Sequence, residues 1–195
     1  MQIAYNKSKR TEKILYIVVH DTGNRNKGAD AKAHFNYFNS ADRQSSADFF
    51  VDDNGALKVN DYEKFYTWHC GDGKGKYGIT NKNSVGVEIC INSDGDYNKA
   101  ALNAVECVKE LMTTLNIPAE RVVRHYDASK KLCPASMSEN DWKMWKNFKE
   151  QLSVSDEELL KMSAGLADET ILYLKNYTYG KDLIRKLADA IKKRA

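Results

Sequence analysis

At 195 residues, with 42% hydrophobic and 29% charged side chains, the chain is long enough for one compact domain and a small appendage. Thirty basic against twenty-seven acidic residues leave a net charge of +3, too mild for a nucleic-acid partner and at most a weak attraction to an anionic polymer. Two prolines and eleven glycines exclude a long disordered linker. The first ten residues lack the apolar core of a secretory signal, and the early apolar run at 14–19 is far too short to cross a bilayer. The expectation is a chain made in the cytoplasm without membrane insertion, whose four cysteines (Cys70, Cys90, Cys107, Cys133) are free thiols or metal ligands.

In chain order, residues 14–19 (ILYIVV) are β-branched and apolar on both faces, the pattern of a buried central strand ending at His20 and Asp21. Ala31, Phe35 and Phe38 recur at helical spacing, which leaves His34 on the surface. Residues 49–51 and 56–59 flank a turn near Asn54 and Gly55, a hairpin signal. Gly73, Gly75 and Gly78 mark a long surface loop after Trp68, His69 and Cys70. Residues 84–92 form a second central strand, with Val85, Val87, Ile89 and Ile91 on one face and Gly86, Glu88, Cys90 and Asn92 on the other. A helix over 97–115 carries Leu102, Val105, Val108, Met112 and Leu115 as its stripe and stops before Pro118.

A short strand at 122–124 then delivers His125. Ser138 and Asp141 are spaced as a capping pair for a helix with Trp142, Trp145 and Phe148. The pattern restarts near Ser153: Ser155 and Glu158 read as a capping box for a helix through Leu159, Leu160 and Met162, followed by helical signals at 171–174 and 183–191. The fold class is therefore α/β, a central mixed sheet flanked by helices. The division is a main domain at 1–152 and a small helical module at 153–195.

His20 and His125 each follow a strand, and Cys133 comes eight positions after His125. Two imidazoles and a thiolate make three protein ligands with a fourth tetrahedral position open, the pattern of catalytic zinc. A strand-end His is equally a packed hydrogen-bonding residue and a lone Cys a small hydrophobe, so spacing alone leaves both readings open.

The segments 18–22 (VVHDT), 68–71 (WHCG), 83–89 (NSVGVEI) and 124–134 (RHYD through KLCP) occur in the order found in type-2 N-acetylmuramoyl-L-alanine amidases. The chain resembles that family, which includes phage endolysins and peptidoglycan-recognition proteins, over about residues 10 to 150. The resemblance implies one Zn2+ held by His20, His125 and Cys133, and hydrolysis of the amide between N-acetylmuramic acid and L-alanine in peptidoglycan. It gives Glu88 the role of general base and Lys131, with Lys130 as its neighbouring competitor, the role of oxyanion stabiliser. Trp68 and His69 match the segment lining the substrate groove. Cys70 is set aside as a ligand because a fourth protein ligand would close the site. Some relatives carry a Tyr on the strand matching 47–51; this chain has none there, which places more weight on Glu88.

A non-catalytic peptidoglycan receptor is disfavoured by retention of Cys133, and nothing in the sequence points to a regulator of a host protein. The C-terminal module is expected to target the cell wall, with Tyr173, Tyr177 and Tyr179 either stacking on sugars or packing in a helical core. Release through a holin would bring a phage or prophage endolysin to the wall without a signal peptide.

Overall fold

A computed structural model describes residues 1–153 and 155–192. They fall into two compact units, Met1–Lys149 and Glu150–Ala195.

The first unit is built on a five-stranded mixed sheet. A short strand β1 (Lys7–Lys9) stands outside it, and β2 (Tyr16–Asp21) is followed by helix α1 (Ala31–Ser40). The hairpin β3 (Phe49–Asp52) and β4 (Gly55–Lys58) turns where expected, with Asp52 opposite Gly55. Next come β5 (Phe65–Thr67), which pairs with β1, then β6 (Ser84–Ile89), helix α2 (Tyr97–Leu115), β7 (Val122–Arg124), the short helix α3 (His125–Ser129) and α4 (Glu139–Ser153). The main sheet has the order β4-β3-β6-β2-β7, antiparallel at β3–β4 and parallel elsewhere. β2 and β6 are both interior strands, which is why their runs are apolar on both faces: Ile17, Val18, Val19, Val85, Val87 and Ile89 are all inaccessible to solvent.

Helix α1 starts on Asp30, whose carboxylate accepts from the Ala33 backbone N–H. It packs on β3 with Phe35 and Phe38 against Phe50. His34 is buried, not on the surface: its ring stacks on Phe50 at 5.5 Å, an imidazole used as a flat core filler. Helix α2 has the expected bounds, but its buried face is Ala100, Ala101, Ala104, Val105, Cys107, Val108 and Leu111. Leu102, Met112 and Leu115 are only half-buried. Small alanines allow a helix to lie close to a sheet, so the densest contact falls away from the largest side chains. Ser138 and Asp141 form no capping pair. The Ser138 hydroxyl donates to the Ala135 carbonyl, Asp141 pairs with Lys146, and residues 140–142 take left-handed backbone angles before the regular helix runs on.

The second unit contains α5 (Asp156–Ala164), α6 (Asp168–Asn176) and α7 (Gly180–Lys192). Ser155 and Glu158 close a reciprocal capping box at the start of α5. Leu160, Ile171 and Ile184 form a small core, with Leu166, Leu174 and Ile191 packed around it. The side chains of Leu159 and Met162, expected on the apolar face of α5, lie outside the described residues. Tyr173, Tyr177 and Tyr179 are 74%, 54% and 69% exposed and belong to no core. Among the described residues, no helix is long and apolar enough to cross a membrane. All four cysteines are buried free thiols.

One buried carboxylate ties the sheet to the segment that follows β4. Asp48 accepts from the Gly86 backbone N–H on β6 (2.8 Å), the Thr67 hydroxyl on β5 (2.9 Å) and the Asn60 amide (2.7 Å). Removing it leaves three buried donors without an acceptor. Asp48→Ala is expected to lower stability by about 3 kcal/mol, read as a fall in the urea midpoint; an unchanged midpoint would show that water replaces the carboxylate.

Candidate active site

Three adjacent parallel strands bring the site together. His20 at the end of β2 is in register with Glu88 on β6. On the other side Val19 pairs with Arg124, so His125 continues β7 into the next row. Residues in register on neighbouring strands share a face, and His20, Glu88 and His125 therefore form one row at the carboxyl end of the parallel strands. Crevices in open α/β sheets lie at that end.

Cys133 reaches the row from a loop. The Tyr126 backbone N–H donates to the Cys133 carbonyl at 3.0 Å, closing the segment after α3. Ser136 donates its N–H (2.7 Å) and hydroxyl (2.9 Å) to Asp21, which fastens that segment to the end of β2. As a result His20, His125 and Cys133, all buried, each offer one ligand atom, and these atoms lie within 4.8 Å of one another.

The two histidines face the centre with one nitrogen and are held from behind by the other. His20 Nδ1 lies 3.7 Å from Cys133 Sγ, and its Nε2 is 3.0 Å from His69 Nδ1. His125 Nε2 is 2.7 Å from Asp72 Oδ1, while its buried Nδ1 has no hydrogen-bond partner. An orphaned nitrogen in a protein interior is costly, and here it points to where a metal ion would complete it. Two imidazoles and a sulfur fit a borderline-soft divalent ion such as zinc.

Burial also sets the protonation states. It holds His20 well below the usual imidazole range, with His69, His125 and Lys131 adding to the effect. Burial lowers His125 too, against the opposing pull of Asp72. Both rings are thus neutral, the form that binds metal. Burial, then Glu88, pushes the Cys133 thiol up to about 12, so ligation requires it to lose a proton. Glu88 Oε1 sits 3.8 Å from His20 Nδ1, and its buried Oε2 has no partner. Desolvation, then the Asp21 charge, pushes the Glu88 carboxyl up to about 8, while Lys131 pulls it down.

A cavity of about 630 Å³ opens from this row, large enough for a small-molecule-sized group. Trp68, Lys131 and Glu88 line it together with the ligands, as do Asn26, Tyr37 and Phe38. The two adjacent lysines are separated. Lys131 is exposed on the cavity wall, whereas Lys130 caps α3 and lies over the rings of Tyr77 and Tyr126 at 4.7 and 4.9 Å. Trp68 is half-buried, and its indole N–H donates to Ser8. His69 touches the cavity but uses both ring nitrogens inside the protein, one on His20 and one on Ser84 at 3.2 Å. Cys70 stands apart from the ligand cluster, packed with Val18, Ile79 and Ala128.

Sequence reasoning missed Asp72, Ser84 and Asp21. Asp72 lies in the glycine-marked loop, which has no periodicity to flag it. The loop reaches His125 because Gly73 packs directly on α3; a Cβ there would stand 2.1 Å from the Ala128 carbonyl oxygen. Gly73 beside an acidic residue was the available signal.

Residues 10–136 match the type-2 amidase family model, described as N-acetylmuramoyl-L-alanine amidase. The chain is 40% identical over 141 residues to the Bacillus subtilis N-acetylmuramoyl-L-alanine amidase CwlH, covering 72% of this chain and 54% of that protein. It is 41% identical over 138 residues to XlyA of the same species, covering 69% and 43%. It thus spans about half the length of the curated relatives it matches. The solved catalytic domain of XlyA superposes with a TM-score of 0.68 at 38% identity, covering 76% of this chain and 92% of that domain. A mutant endolysin from Bacillus subtilis superposes equally well, at 35% identity, covering 78% of this chain and all of that one. On the family match over most of its length, and on these relatives, the chain belongs to the N-acetylmuramoyl-L-alanine amidase family.

Proposed function

We propose that this chain hydrolyses the amide bond between N-acetylmuramic acid and L-alanine in peptidoglycan, with one zinc ion held by His20, His125 and Cys133. The observation that carries the reading is the buried cluster of three ligand atoms beside Glu88, whose Oε2 has no hydrogen-bond partner, on the wall of a cavity. The names of CwlH and XlyA support the bond, and the likeness to an endolysin supports a role in lysis at the cell wall, reached after release from the cytoplasm.

When bound, zinc supplies a Lewis acid that polarises an amide carbonyl and brings the pKa of water towards ~7. Glu88 is the proton carrier. Its carboxylate takes a proton from the attacking water and returns it to the departing L-alanine amine. Burial raises the carboxyl to about 8, so it exchanges a proton near neutral pH, and the Lys131 cation favours its ionised form. Lys131, on the cavity wall, puts positive charge where the tetrahedral oxyanion develops. Trp68 offers a half-buried aromatic wall to the substrate.

In the second unit we assign wall binding to the exposed tyrosines. Tyr177 and Tyr179 stand edge to face at 6.1 Å, and flat rings open to solvent suit sugar faces.

Turnover on purified peptidoglycan tests the reaction. New L-alanine amino groups are expected, lost on chelation and restored by zinc; reducing sugars in their place would mean a different bond is cut. Glu88→Gln is expected to retain zinc and lose about 10²–10⁴-fold in rate, and a fully active variant would remove Glu88 from the mechanism. The triple variant Tyr173→Ser, Tyr177→Ser, Tyr179→Ser should elute earlier from immobilised walls with unchanged turnover on a soluble muropeptide; unchanged retention would reject wall binding by these rings.

A further inference from the structure

A chain of buried polar groups runs from a backbone carbonyl to His20, and its direction is fixed at the far end. The Ser84 hydroxyl has one proton and donates it to the carbonyl oxygen of Thr80. Cys70 Sγ, 3.7 Å from the same hydroxyl, is too weak an acceptor to compete. The Ser84 oxygen is left with lone pairs, 3.2 Å from His69 Nε2. His69 must then carry its proton on Nε2 and present a bare Nδ1, which lies 3.0 Å from Nε2 of His20. A neutral imidazole has a single N–H, so His20 donates from Nε2. Its Nδ1 remains a lone pair, facing Cys133 Sγ at 3.7 Å.

The reverse direction would take the hydroxyl proton from Thr80, place the His69 proton on Nδ1 and force a proton onto His20 Nδ1, where it would block a metal ion. All the side chains in the chain are buried: Ser84 at 0%, His69 at 8% and His20 at 1% exposure, so each link is made within the protein. Room for the His69 ring comes from Gly86 on β6; a Cβ there would stand 2.6 Å from His69 Cγ. His125 reaches the same end differently, through the carboxylate of Asp72.

We propose that His69 is a positioning residue: with Ser84 and the Thr80 carbonyl, it sets the tautomer of His20 so that Nδ1 is already unprotonated when a metal ion arrives. This rests on the reading of His20 as a ligand, but it makes a claim about the metal-free protein that can be read without that metal.

The test uses the full chain with 15N-labelled histidine. In the zinc-free wild type, long-range 1H–15N spectra at neutral pH are expected to show His20 as the Nε2–H tautomer; an Nδ1–H ring would overturn the proposal. Zinc affinity, measured by competition with a chromophoric chelator, should fall about 10- to 100-fold in His69→Ala. It should recover largely in His69→Asn, whose carbonyl oxygen can take the acceptor place of Nδ1. Ser84→Ala, which keeps the ring but removes its anchor, should give His20 a mixed tautomer. A folded His69→Ala chain with wild-type zinc affinity would reject the role. Should His69→Ala not fold, the wild-type spectrum and Ser84→Ala still decide. A wild type that binds no zinc while His20 is Nε2–H would remove the metal reading and leave the proton chain standing.

Discussion

Parallel pairing of β2 with both β6 and β7 is the constraint on which the rest of the site depends. Because the strands run the same way and in this register, His20, Glu88 and His125 emerge in one row on one face. A shift of one residue in either pairing would turn a ligand or the carboxylate to the opposite face. The strands carrying that register are packed on both faces: Ile17, Val18, Val19, Val85 and Val87 are wholly buried. The core therefore positions chemistry that it does not touch.

The row carries a cost in stability. Glu88 Oε2 and His125 Nδ1 are buried without hydrogen-bond partners, and the Cys133 thiol sits beside a carboxylate. Unsatisfied polar atoms are uncommon in folded interiors, and two of them within one row mark a place where packing has yielded to function. His69, Ser84, Asp72 and Asp21 each take up a group behind the row, orienting the inner side chains from outside. Removal of Asp72 or Ser84 would loosen a ligand without touching the cavity.

The two units divide the work in different ways. Met1–Lys149 contains the sheet, the ligand cluster and the cavity, and the family match falls within it. Glu150–Ala195 has a core of few side chains and leaves its tyrosines in solvent. A core that small stabilises weakly, and the tyrosine rings lie outside it.

The sequence by itself determined the strands of the main sheet, the main helices, and the candidate ligand and carboxylate residues. Apolar runs and helical periodicity report burial directly, and the motifs around His20, Glu88, His125 and Cys133 are local in the chain. The capping box at Ser155 and the bounds of α2 were legible for the same reason. What lay beyond it were contacts made by residues far apart in sequence. His34 became a core ring because Phe50 lies beside it, and the alanine face of α2 became the buried one because only close approach to the sheet selects it. Tertiary structure alone set His69 behind His20, turned Lys131 to the cavity and Lys130 to two tyrosines, and joined Asp72 to His125 across 53 positions. A side chain's partner is a property of the packed molecule; one-dimensional patterns carry the side chain's type and its depth, but not which nitrogen of a ring will be occupied.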